Sequence, residues 1–185
     1  MEQKALRKTL WNEAGKAGLV LGAVSTVYLF LAQFAGTVKM PALLNLLMTT
    51  ILWAGKFGGC IWFMMYFMKK FAKQNSGVDN RTTYRFGLAA SVLSALVYAA
   101  ASFANTAFIS VDMIAENTRI LMEQMAPVMD SNSLDQMENV MAKLPQLTFF
   151  SNLIYCSIYG SVLSFILSRN IPNKNPFADD KSEEW

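Results

Sequence analysis

One lysine stands apart among the side chains capable of chemistry. Lys56 lies near the middle of an apolar stretch from about Pro41 to Met68, about thirteen residues from either end. If that stretch crosses a bilayer as a helix, the ammonium is roughly 20 Å from each surface, beyond the several ångströms a lysine can snorkel. A charge at that depth is costly and marks a functional site by default. No Asp or Glu occurs in this or any of the other long apolar stretches, so no internal carboxylate can pair with it. Gln33, Asn45, Asn105 and Asn152 are the polar side chains available, and with Lys56 they form the candidate intramembrane polar site. Three settings for Lys56 stand open. It is solvated by those groups in a wet crevice, it binds an anionic lipid or substrate, or it pairs with a carboxylate on a partner's helix.

Other chemistry is sparse. The chain has no histidine, which removes the commonest general base and metal ligand and every Ser/His or Cys/His pair. Its two cysteines, Cys60 and Cys156, both sit inside apolar blocks, where a free thiol behaves as a small hydrophobe. Methionines concentrate between the third and fourth apolar stretches: Met113, Met122, Met125, Met129, Met137 and Met141. Thioethers suit Cu(I), but these residues coincide with helical apolar stripes, which explains them without a metal. No catalytic residue, metal, cofactor or nucleic-acid partner is implied.

The elements that position Lys56 follow from composition. Of 185 residues, 54% are hydrophobic and 16% charged, with a mean hydropathy of +0.29 and a net charge of +3. This is one domain, and its apolar excess is concentrated in blocks. A helix needs about 20 mostly apolar residues to cross a bilayer. Four stretches qualify, at about 17–37, 41–68, 86–111 and 147–168, which predicts an all-α integral membrane protein with four transmembrane helices. The first is longer than the 7–15 residue apolar core typical of a signal peptide, so it reads as a retained span. Basic residues set the orientation. Lys4, Arg7, Lys8 and Lys16 precede the first span, Lys69, Lys70, Lys73, Arg81 and Arg85 separate the second and third, and Arg169, Lys174 and Lys181 follow the fourth. All fall on one side, the cytoplasm, together with both termini.

Small residues at intervals of four let helix backbones approach, which is how packing is gained within lipid. Gly18 with Gly22, Gly55 with Gly59, and Gly160 with Ser164 are such pairs, and Ala89, Ala90, Ser91, Ser94 and Ala95 serve the third span. The exterior segment 112–146 reads as a helical hairpin. Ile114, Thr118, Leu121, Met125 and Val128 make one apolar stripe, and Leu134, Met137, Val140, Met141 and Leu144 make the other. Asp130 to Ser133 is the turn, with Ser133 a candidate cap three residues before Gln136, and Pro145 ends the second helix. The candidate docking face is Ile114, Leu121, Met122, Met125, Met129, Leu134, Met137 and Met141. Residues 1–16 read as a cytoplasmic amphipathic helix with Leu6, Leu10 and Trp11 at the membrane interface. Residues 169–185, with Pro172, Pro176 and a run of acids, read as a disordered cytoplasmic tail.

Two segments carry a family likeness. A basic loop leads through an aromatic-Gly entry into the third span (TTYRFGLAASVLSAL), and after a mostly acidic helical loop comes a last span with glycine and serine (YGSVLSFILSRN). In this layout the chain resembles the uncharacterised membrane proteins of Bacteroidota grouped as domain-of-unknown-function family 4199. The resemblance covers nearly the whole chain and brings no established activity. It implies a Gram-negative inner-membrane protein and a partnership with membrane glycosyltransferases. Taken together, the expectation is a non-enzymatic inner-membrane scaffold or accessory subunit, in contact with membrane lipids and with other subunits or itself. The alternative is a small transporter or lipid-binding protein using Lys56 in an anionic site, with a cavity lined by Lys56, Gln33 and Asn105.

Overall fold

The computed structural model describes residues 2–37, 41–75, 78–128 and 130–171. These are helical almost throughout: α1 (Glu2–Thr37), α2 (Ala42–Gln74), α3 (Asn80–Ala104), α4 (Val111–Met125), α5 (Ser131–Ala142) and α6 (Leu144–Arg169). A π-helical turn, Asn105–Ile109, joins α3 to α4. Four helices are long and apolar enough to cross a membrane: Leu6–Gly36, Leu43–Gln74, Asn80–Ile109 and Leu144–Arg169. They run alternately up and down, leaving a terminal end, where α1 begins and α6 finishes, and a hairpin end carrying α4 and α5.

The third span is the hub. It packs along α1 and α6, while α2 rests mainly on α1 and only lightly on α3 and α6. Small residues make the two main seams. A Cβ added at Gly18 would lie 2.7 Å from Leu93 Cβ and 2.9 Å from the Ala90 carbonyl, so α1 and α3 nearly touch there. Gly22 meets Val97 and Ser94 one turn further on. Across the other face of α3, Gly160 sits against Ser91 and Ser164 against Gly87. Within the seam the hydroxyls of Ser91 and Ser164 lie 3.3 Å apart, and each also donates back to the carbonyl four residues earlier. That arrangement satisfies both buried hydroxyls within the seam.

The pairing on α2 behaves differently. Gly55 lies against the Tyr28 hydroxyl of α1, but nothing approaches within 4 Å of a Cβ at Gly59. The Gly55/Gly59 spacing is therefore not a helix-packing pair. Helix α2 packs unevenly along its length. Its half toward the terminal end is anchored by Met64, Met68 and Phe71, all buried, whereas every side chain from Leu43 to Ile51 is exposed. The helix diverges from the bundle on the Leu43 side of Gly55, away from Gly59.

At the terminal end the helices continue past the apolar spans and enclose a core of Leu10, Ala14, Met68, Phe71, Phe86, Leu167 and Ile171. Phe71 and Phe86 stack at 4.4 Å between centroids. Leu10 is six residues ahead of Lys16, so this part of the core lies about 9 Å beyond it. Residues 1–16 were expected as a separate amphipathic helix facing the interface. Instead α1 is unbroken through this region, Leu10 is 8% exposed and Leu6 packs beside it, while Trp11 points outward at 54%. The apolar stripe found a protein core to cover, which removes more surface from water than an interface would.

The turn chemistry is also shifted from the expected positions. Asp130, not Ser133, caps α5, its carboxylate accepting the Ser133 N–H at 3.3 Å. Asp79 caps α3 in the same way, accepting from the Thr82 N–H at 2.8 Å. Pro145 falls in the first turn of α6, where its missing N–H costs nothing. Met129 and the tail beyond residue 171 lie outside the described residues.

Candidate functional site

Lys56 projects from α2 just where that helix leaves the bundle. It lies level with Tyr28, whose hydroxyl is 2.8 Å from the position of a Cβ on Gly55. Counting along α1, Tyr28 is twelve residues from Lys16 and nine from Thr37. These separations correspond to about 18 Å and about 14 Å, so the lysine is near mid-depth in the span. Its ammonium lies 3.4 Å from the Tyr98 hydroxyl and 4.6 Å from the centre of the Tyr98 ring. Tyr98 is itself buried on α3. The phenol thus offers the cation both a lone pair and a π-face, a setting that stabilises an ammonium by about 0.5–2 kcal/mol as it is desolvated.

Beside this pair is a cavity of about 80 Å³, lined by all four long helices. Its polar wall is Lys56, Tyr98, Ser25, Ser91, Ser94, Tyr155 and Tyr159, and its apolar wall includes Leu21, Phe57, Met64, Ala95 and Leu163. Cys60 and Cys156 also face it, and the Cys60 thiol is 3.7 Å from the Ser25 hydroxyl. Phe57 of α2 and Tyr159 of α6 meet edge-on at 5.3 Å, bridging those helices beside the cavity. Space of this size holds a few waters or a small polar head.

The other residues of the expected polar site lie elsewhere. Gln33 donates to the Ser110 hydroxyl at 2.7 Å, and that hydroxyl reaches the Asn105 side-chain oxygen at 3.3 Å. These three form a network at the hairpin end, around the π-helical turn. The Gln33 side-chain oxygen there is buried with no hydrogen-bond partner. Asn152 donates to Ser102 at 2.9 Å, closing the α3–α6 seam between the two levels. Asn45 is exposed on the divergent half of α2. Gln33, Asn45, Asn105 and Asn152 do not solvate Lys56. A single site of five residues is replaced by a Lys56–Tyr98 centre and two separate polar clasps.

Sequence reasoning missed Tyr98, Tyr155 and Tyr159, while both cysteines are free thiols, as expected. A signal for Tyr98 was present. Ser91, Ser94, Tyr98, Ser102 and Asn105 recur at steps of three and four along α3, a polar stripe on one helix face.

At the hairpin end, Arg119 is held between Glu116 and Glu123, at 2.7 Å and 2.5 Å. Its guanidinium keeps the Glu116 carboxyl below the ordinary carboxylate range, and the two acids raise the arginine further above its own. Of the expected docking face, Ile114, Leu121, Met122, Met125, Leu134, Met137 and Met141 are all partly buried. Among the described residues, no three Cys, Asp or Glu side chains gather to hold a metal ion.

These features define an all-α bundle with four helices suited to crossing a membrane and a cationic cavity at its centre. Residues 15–169 match the family described as a protein of unknown function (DUF4199), and the chain belongs to that family. No curated protein and no solved structure matches the chain.

Proposed function

We propose that this chain is a non-enzymatic membrane protein that binds an acidic, single-chain amphiphile through Lys56. One observation carries the reading. The sole charged side chain in the four apolar stretches stands on the wall of a cavity at mid-depth, with a phenol for company and no carboxylate in any span to neutralise it. Such a cation is stabilised by an anion brought in with the ligand. The divergence of α2 supports the same reading, because it leaves the half of α2 next to Lys56 uncovered by protein, where a lipid tail can lie. A phospholipid keeps its phosphate at the headgroup level, about 15 Å from the midplane. A carboxylic acid on one chain reaches Lys56 at far lower cost.

In this reading the membrane is the bacterial inner membrane and the terminal end is cytoplasmic, since the basic residues cluster there. The non-enzymatic assignment rests on the absence of histidine from the sequence and of acids from the spans. The test uses the protein in lipid nanodiscs and a fluorescent long-chain fatty acid. Lys56→Met is expected to weaken saturable binding at least about tenfold, since it removes one partner of a desolvated charge pair. Equal binding by the variant contradicts the proposal.

A second reading, an accessory subunit of a membrane complex, is favoured by the hairpin and by the bare half of α2. The family resemblance points to a membrane glycosyltransferase as the other component. Crosslinking in mild detergent tests it, and a strictly monomeric protein without a partner counts against it.

A further inference from the structure

The hairpin end carries a second concavity, well separated from Lys56. Helices α4 and α5 meet only lightly, and an open groove of about 720 Å³ lies between them. Met122, Ala126, Leu134 and Met141 supply its apolar surface, and Glu123, Asp135 and Glu138 stand along it beside Arg119. That arginine is already engaged by Glu116 and Glu123. Asp135 and Glu138 form no ion pair among the described residues. Over residues 111–146 the sequence holds six acids against two bases.

We infer that this groove seats a basic amphipathic helix presented by a partner protein on the hairpin side of the membrane. The inference rests on the accessory-subunit reading and is independent of the Lys56 cavity. Charge selects the occupant. A second copy would bring another acidic hairpin against the first, and an anionic lipid surface has the same wrong sign. A purely apolar helix would leave the acids facing it unpaired and partly desolvated. An amphipathic helix with Lys or Arg flanking an apolar stripe satisfies both surfaces at once, its stripe on the methionines and its cations at the acids. Methionine suits the task because its unbranched thioether adapts to varied side chains. The length also fits. Helices of 15 and 12 residues offer a trough about 18–22 Å long, or three to four turns.

The experiment uses the full-length protein in zwitterionic nanodiscs and a fluorescent, designed Leu/Lys amphipathic helix of about five turns. A peptide of the same composition in scrambled order is the control. The amphipathic peptide is expected to bind saturably and at least about tenfold more tightly than the scrambled one. Neutralising the two unpaired acids with Asp135→Asn and Glu138→Gln together is expected to cost about fivefold, because two exposed pairs at about two- to threefold each multiply to that factor. Met122→Gln with Met141→Gln is expected to weaken binding by a similar factor, while Lys56→Met leaves it unchanged. Three results overturn the inference: no binding above empty discs, equal binding of the scrambled peptide, or equal binding by both groove variants. A dimer held by the hairpin, seen as doubled protein mass per disc and lost in the methionine variant, assigns the groove to a second copy and overturns it too.

Discussion

Replacing Gly160 with alanine tests the packing that holds the cavity walls together. A Cβ at this position collides with the Ser91 Cβ and lies 2.6 Å from the Ser91 hydroxyl, and because a Cβ cannot rotate aside, the helices themselves must move apart. Separating α3 and α6 by about 0.5–1 Å forfeits a quarter to a half of each dispersion contact, itself about 0.1–0.2 kcal/mol. Over roughly twenty atom pairs near the crossing the loss comes to about 1 kcal/mol, at the lower end of the 1–3 kcal/mol typical of overpacking. Gly59→Ala is the matched control, because nothing lies within 4 Å of its Cβ. Thermal unfolding in detergent, followed by tryptophan fluorescence, is expected to show a midpoint about 2–4 °C lower for Gly160→Ala. Gly59→Ala is expected to match the parent, and Ser91→Gly to restore the Gly160→Ala chain. A Gly160→Ala protein as stable as the parent, or an equal loss at Gly59, refutes the assignment of α3–α6 as the close seam.

Three further outcomes follow from the same geometry. Lys56→Met is expected to be at least as stable as the parent in detergent unfolding, since an ammonium near mid-span costs about 2.5–3.5 kcal/mol and its contact with Tyr98 returns less; a clear loss of stability contradicts this. Asp79→Ala is expected to cost about 1 kcal/mol at neutral pH by uncapping α3. Hydrogen bonds from Thr82 hold the Asp79 carboxyl below its ordinary 3.8, so the cap is fully present above that value and is lost as pH falls through the lowered one. The difference between parent and Asp79→Ala should therefore shrink on acidification, and a gap that persists at low pH is the contrary result. For orientation, Asn132→Cys and Asn12→Cys are placed in a Cys60→Ser, Cys156→Ala background. An impermeant maleimide is expected to label Asn132→Cys in cells with a permeabilised outer membrane, and Asn12→Cys only after lysis; the reverse pattern inverts the topology.

Length and composition made the four long helices legible, because the cost of unsatisfied backbone in lipid leaves few alternatives for a 20-residue apolar run. What joins those helices was less legible. Gly55 and Gly59 share the spacing of Gly18 and Gly22, but spacing says nothing of whether a neighbour is there, and none lies within 4 Å of a Cβ on Gly59. Lys56 stood out by its cost alone. Its partner Tyr98 lies 42 positions away on another helix, and no periodicity within α2 could name it. The amides are polar in the sequence and were pooled with the lysine on that ground. Depth separates them: Gln33 and Asn105 meet at the hairpin end, near the π-helical turn that no residue pattern announced. Leu10 was read against the membrane interface because the core it joins is assembled from three other helices. At α5 the cap fell on Asp130 and not Ser133; both are capping residue types, and the local pattern alone did not choose between them.

The most direct test of the central claim is native mass spectrometry of the protein released from mild detergent, with Lys56→Met prepared in parallel. The Lys56 cavity predicts a retained acidic, single-chain amphiphile on the parent protein that is missing from the variant. The same bound species on both proteins, or none on either, contradicts a lipid-binding role for Lys56.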